Sequence, residues 1–186
     1  ENGAEAAARI SERSGVPVRI LGGDEEAKLV YRAVVLGLGG RPRSSQCVVF
    51  DLGGGSTEVV SGVGASAGRW TSLPFGAVSL HERALPGDPP DEAVIQSARQ
   101  LIARELMHGC AQLPERTTLL AGVGGTVTVL ASLDRGLVDY DPALLEGWYI
   151  DRERALGLVN RIVRLTHEER RRLPIMGEGR ADIIGA

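Results

Sequence analysis

An apolar strand that runs into an acid, three glycines and a second acid constrains this chain more than any other stretch. Cys47-Val48-Val49-Phe50-Asp51-Leu52 reads as a buried strand, Gly53-Gly54-Gly55 as a tight turn, and Ser56 to Ser61 as the next strand. Glycine reaches φ > 0 at no steric cost and leaves the backbone N–H groups bare. A run of such groups can form a concave nest for phosphate oxygens. If Gly54 and Gly55 are the loop residues, Gly53 faces Ser56 and Asp51 faces Glu58, with Cβ atoms roughly 4.5–5.5 Å apart. Two carboxylates that close repel, and their pairing makes sense with a cation between them. Hard oxygen ligands beside a phosphate nest point to magnesium held partly through water. Ser56 and Thr57 add hydroxyls that could hold phosphate. The run is not a P-loop, because no lysine follows the glycines. A glycine hairpin with two solvated acids at its mouth is the plainer reading of the same residues.

The elements around this run come from periodicity and punctuation. Residues 3–14 are Ala-rich and helical, with Gly15 as the stop. Val16 to Leu21 alternate as a strand does, Gly22-Gly23 turn the chain, and Asp24 is placed to cap the next helix. Gly37 to Gln46, rich in Gly, Pro and Ser, marks the boundary between two lobes, 1–44 and 45–186. Beyond the glycine turn, Arg69 to Leu73 reads as a third strand and Gly76 to Leu85 as a helix. Pro86 to Pro90 form a rigid loop before a long helix from Asp91 to roughly Leu113. Thr117 to Ala121 is a further strand, helix resumes near Thr126, and Asp151 to Leu165 is helical again. Three successive strands at hairpin spacing, followed by helix, strand and helix, predict an α/β fold with a mixed sheet.

Other stretches carry chemistry with less specificity. Asp24-Glu25-Glu26 open a helix, where acids are stabilised by the macrodipole. The same field keeps a carboxylate ionised, which suits a general base. Gly122-Val123-Gly124-Gly125-Thr126 joins a strand to a helix; tight packing and anion binding at the helix N-terminus both account for it. His81, His108 and His167 share no metal spacing. Glu168-Glu169 followed by Arg170-Arg171-Arg172 reads as the solvated end of a helix. Trp70 and Trp148 read as packing residues. Arg180 could reach a site, though nothing in the sequence places it.

Composition narrows the classes. The 186 residues are 43% hydrophobic and 24% charged, with a net charge of −3. That balance calls for neither nucleic acid nor an acidic membrane as partner, and no apolar run is long enough to span a bilayer. Lys28 is the only lysine. Cys47 and Cys110 match no metal spacing, and Cys47, within an apolar run, reads as a buried reduced thiol, which suits the cytoplasm. The chain has no initiator methionine, and both ends interrupt apparent helices, so they read as cuts.

Several runs, in this order, resemble the exopolyphosphatase / guanosine pentaphosphate phosphatase family. They are Leu21-Gly22-Gly23-Asp24-Glu25-Glu26-Ala27, Val48 to Glu58, Leu73-Pro74-Phe75-Gly76-Ala77-Val78-Ser79-Leu80, Gly122 to Thr126 and Gly179-Arg180-Ala181-Asp182. The Asp-to-Glu run is shared in outline with sugar kinases, actin and acetate kinase; the Glu-Glu-Ala run before it and the Pro-Phe-Gly-Ala run after it make the resemblance specific. It implies ribonuclease-H-like lobes with a mixed sheet flanked by helices, a site between lobes, and magnesium-dependent release of terminal phosphate from polyphosphate or guanosine pentaphosphate. By the same resemblance Glu26 is the base that activates water, and Asp51 and Glu58 organise the metal. Gly53, Gly54, Gly55, Ser56 and Thr57 form a phosphate loop, and Gly124, Gly125 and Thr126 line the cleft. A homodimer is implied at the same level. Family members begin with another phosphate loop, Asp-Ile-Gly-Ser-Asn, that this chain does not contain, so the expectation is an enzyme whose present portion is inactive or nearly so. A non-catalytic sensor of guanosine tetraphosphate on the same fold is the competing reading, and a kinase relative is another.

Overall fold

The computed structural model describes residues 2–39, 45–177 and 179–186. The first helices are α1 (Gly3–Ser14) and α2 (Gly23–Gly37). Strands β1 (Gln46–Leu52), β2 (Thr57–Val63) and β3 (Ser66–Leu73) follow, then α3 (Ala77–Ala84) and α4 (Glu92–Gly109). After β4 (Leu119–Val123) come α5 (Gly125–Arg135), α6 (Pro142–Leu145), α7 (Arg152–Ile162), α8 (His167–Arg171) and α9 (Arg180–Ile183).

The strands form one sheet in the order β3-β2-β1-β4. The β1–β2 and β2–β3 pairs are antiparallel and β1–β4 is parallel, which is the mixed sheet that the strand order predicts. Side chains alternate between its faces. One face presents Cys47, Val49 and Val60, covered by Ala27, Tyr31 and Val35 of α2. The other presents Val48, Val59 and Leu73, which pack with Phe75 and with Leu80 of α3. A third cluster, Val129, Ile162 and Ile184, joins α5 and α7 to the C-terminal segment.

Local chemistry sets the ends of the elements. Asp91 caps α4 by accepting from Val94 N–H at 2.9 Å, and Asp151 caps α7 through Arg154 N–H at 2.8 Å. Gly15 ends α1 in the left-handed conformation, φ 70°. Among the described residues, no helix is long and apolar enough to cross a membrane.

Several expectations change. Val16–Leu21 is not a strand: Val16 and Ile20 are 59% and 60% exposed, and no described strand lies beside them. Alternation makes a strand only where a ladder partner takes up the backbone groups. Asp24 does not cap α2, whose N-cap is Gly22; it pairs instead with Lys28 at 2.5 Å, one turn on. α4 stops at Gly109, where a Cβ would stand 2.3 Å from Leu73 Cδ2. Arg170 is not solvated but buried, donating to Ala181 O and Leu165 O at 2.7 Å each and to Asp88 Oδ1 at 3.0 Å. The expected lobe boundary at 44/45 falls on residues 40–44, outside the described residues.

Candidate active site

β1 carries its apolar run through the core and delivers Asp51 to the end of the sheet. The hairpin register then settles the partner. Asp51 stands directly opposite Glu58 and Leu52 opposite Thr57, and Gly53 N–H donates to Ser56 O at 3.1 Å, leaving Gly54 and Gly55 as the loop. The two acids therefore share a sheet face. Glu58 accepts from Ser72 Oγ on β3 at 2.8 Å, which fixes its carboxylate.

α2 covers the same face, so its first turn meets the acidic end of the sheet. Gly23 lies against Trp70, whose ring carbon Cη2 would stand 3.0 Å from a Cβ there. The structure separates the two neighbouring acids of this turn. Glu25 is gripped by Arg19 through both guanidinium nitrogens, at 2.7 and 2.9 Å, which holds its carboxyl below the usual range. Glu26 instead acts on Asp51. Burial raises the pKa of Asp51, and the charges of Glu58 and Glu26 raise it further.

That repulsion is the test of whether a cation fits. Among the described residues, no group of at least three His, Cys, Asp or Glu side chains has metal-holding geometry. Asp51 and Glu58 do form an all-oxygen pair with excess negative charge. Magnesium is ordinarily held by one or two carboxylates plus water and substrate phosphate, and the pair suits that mode.

The glycine turn opens onto a cleft of about 250 Å³. Asp51, Gly53 and Gly54 line one side, Gly124, Gly125 and Thr126 the other, and Arg180 borders it. Gly124 has φ +107°, and a Cβ on it would sit 2.5 Å from Leu52 O and 3.3 Å from Asp51 Oδ1. The tight packing that the sequence allows is present at this turn, which also lies on the cleft. α5 starts there, with its N-terminus at the cleft, where exposed N–H groups favour an anion.

Thr57 sits differently from the expectation. It is buried on the opposite face from Asp51 and Glu58, and its hydroxyl donates to Phe75 O at 2.7 Å. The period of two reverses Thr57 relative to Glu58, so this hydroxyl is turned from the acids. Ser56, in the turn itself, is half-buried.

Arg180 is the residue that sequence reasoning could not place. Its guanidinium carbon lies 3.9 Å from where a Cβ on Gly125 would stand. Arg170 holds the adjoining backbone through Ala181 O, and His167 Nε2 pairs with Asp182 Oδ1 at 2.6 Å.

Residues 1–186 match the Ppx/GppA phosphatase family. Exopolyphosphatase 2 of Mycobacterium tuberculosis is 35% identical over 174 residues, an overlap of 92% of this chain and 53% of that protein. The PPX-GPPA enzyme of Aquifex aeolicus superposes with a TM-score of 0.88 at 28% identity, over 100% of this chain and 60% of that one. An exopolyphosphatase from Cytophaga hutchinsonii shares the fold with a TM-score of 0.76 at 24% identity, over 100% of this chain and 60% of that one. The chain spans about half the length of the curated relatives it matches. With the match running from end to end, this chain belongs to the Ppx/GppA phosphatase family.

Proposed function

We propose that this chain supplies the metal- and phosphate-binding part of a phosphoanhydride hydrolase that releases terminal phosphate from inorganic polyphosphate or guanosine pentaphosphate. The observation that carries the reading is the register of the hairpin. It sets Asp51 against Glu58 beside a glycine turn that opens on a cleft. An exopolyphosphatase among the relatives supports the substrate class.

In this reading Asp51 and Glu58 hold magnesium, and the bound ion would neutralise both acids and draw charge from the phosphate oxygens. Backbone N–H groups of Gly54, Gly55 and Ser56 and the Ser56 hydroxyl grip phosphate, while Gly53, whose own N–H is held by Ser56 O, closes the turn that presents them. Gly124, Gly125 and Thr126 receive it from the other side. Glu26 accepts the proton of the attacking water as its oxygen bonds to the terminal phosphorus; the bridging P–O bond breaks, and the shortened chain leaves with the electron pair. Such reactions depend on positioning and charge stabilisation from several sides, so the 186-residue chain alone is expected to be inactive or nearly so. Action in the cytoplasm and assembly as a homodimer belong to the same proposal; the free thiols of Cys47 and Cys110 suit a reducing compartment.

The test is phosphate release from both substrates with magnesium, by the 186-residue chain and by any longer polypeptide that contains it. Glu26→Gln should leave binding intact and lower turnover of the active form by about 10²–10⁴-fold. Tight binding with no release from either substrate would replace the hydrolase by a sensor.

A further inference from the structure

We propose that Thr57, Gly76 and Ser79 are positioning residues that set the peptide planes of the glycine turn and so aim its N–H groups at phosphate. The inference rests on the phosphate reading of that turn and goes beyond it, because none of these side chains need touch the ligand.

The N-terminus of α3 is satisfied in an unusual way. Ala77 N–H donates to Gly53 O at 2.9 Å, and Val78 and Ser79 N–H donate to Gly54 O at 2.9 and 3.1 Å. The first donors of a helix, which have no partner within it, are thus taken up by the carbonyls of the turn. A trans peptide is planar, so its N–H points opposite to its C=O. Fixing Gly53 O and Gly54 O on α3 therefore turns the N–H groups of Gly54 and Gly55 away from α3. Neither N–H has an acceptor among the described residues, as an anion nest requires.

The contact needs close approach and a fixed backbone. A Cβ on Gly76 would stand 2.5 Å from Gly53 O and 2.7 Å from Gly54 C. Ser79 Oγ accepts from Gly76 N–H at 2.8 Å, and its one proton is shared between Gly55 O at 3.3 Å and Gly76 O at 3.2 Å. Thr57 Oγ1, buried, donates to Phe75 O at 2.7 Å and ties the segment before α3 to the strand after the turn. The run Leu73 to Ser79 thereby acts as a brace behind the turn.

Gly76→Ala would disturb the backbone directly and could unfold the hairpin, so Thr57→Val and Thr57→Ser carry the test. The 186-residue chain, labelled with ¹⁵N, is titrated with magnesium tripolyphosphate, and amide exchange is read at Ala77, Val78 and Ser79. In the unsubstituted chain the ligand should move the Gly54 and Gly55 amides. Thr57→Val should weaken binding about five- to tenfold, the size of one lost hydrogen bond, and speed exchange at those amides of α3. Thr57→Ser, which keeps the hydroxyl, should bind as the unsubstituted chain does. Unchanged affinity and exchange in Thr57→Val, with only a lower unfolding midpoint, would overturn the positioning role and leave the phosphate reading standing. Failure of the ligand to move Gly54 and Gly55 in the unsubstituted chain would overturn both.

Discussion

The hairpin turn at Gly53–Gly55 and the strand-to-helix turn at Gly122–Gly125 border one cleft, yet they are held in different ways. The first is shaped from outside. Its loop residues are exposed, Gly55 has nothing within 4 Å of a would-be Cβ, and α3 grips its carbonyls. The second is shaped from within: Gly124 takes φ +107° and packs onto Leu52 O, so its own conformation closes the gap between β4 and β1. A braced turn can accept a new side chain where it is open, while a self-packed turn cannot.

Substitutions should expose that contrast. The largest effect is expected from Gly124→Ala, which combines left-handed strain with a backbone collision and should cost about 2–5 kcal/mol by urea denaturation. Equal stability in Gly124→Ala and the unsubstituted chain would erase the distinction. Arg170→Met removes the buried donor that holds Ala181 O and Leu165 O. It should cost about 2–4 kcal/mol through orphaned acceptors, while Arg172→Met, at an exposed position, should leave the midpoint where it is.

Asp51→Asn probes the acids between the two turns. Because the carboxyl of Asp51 titrates above its ordinary value, the folded chain keeps a proton that the unfolded chain releases first. Stability conferred by that proton is present at low pH and is lost as pH rises from the ordinary carboxylate range to the raised value. Metal-free Asp51→Asn should therefore melt higher than the unsubstituted chain at pH 7, with the difference vanishing below the carboxylate range. Equal melting at both pH values would mean that the acids do not strain one another. The smallest effect is expected for Gly55→Ala, within about 0.5 kcal/mol, as for a surface substitution that meets nothing.

The hairpin was legible because a two-residue glycine turn fixes register, and a period of two then puts Asp51 and Glu58 together. The mixed sheet followed from strand spacing. Thr57 was also legible in principle, since alternation sends it to the other face, where its hydroxyl meets Phe75 O. Arg170 was not legible. Its neighbours Glu168, Arg171 and Arg172 suggest a solvated face, and its partner Asp88 stands far away in sequence. Arg180 depended on the same hidden anchor. Val16–Leu21 had the right alternation and no ladder, and only the assembled sheet tells those apart.

The most direct measurement is calorimetric titration of tripolyphosphate into the chain, with and without magnesium, for the unsubstituted protein and Asp51→Asn. If Asp51 and Glu58 hold the cation that links phosphate to the glycine turn, binding should require magnesium and should be lost in Asp51→Asn. Binding of the same strength without magnesium, or in Asp51→Asn, would contradict the account.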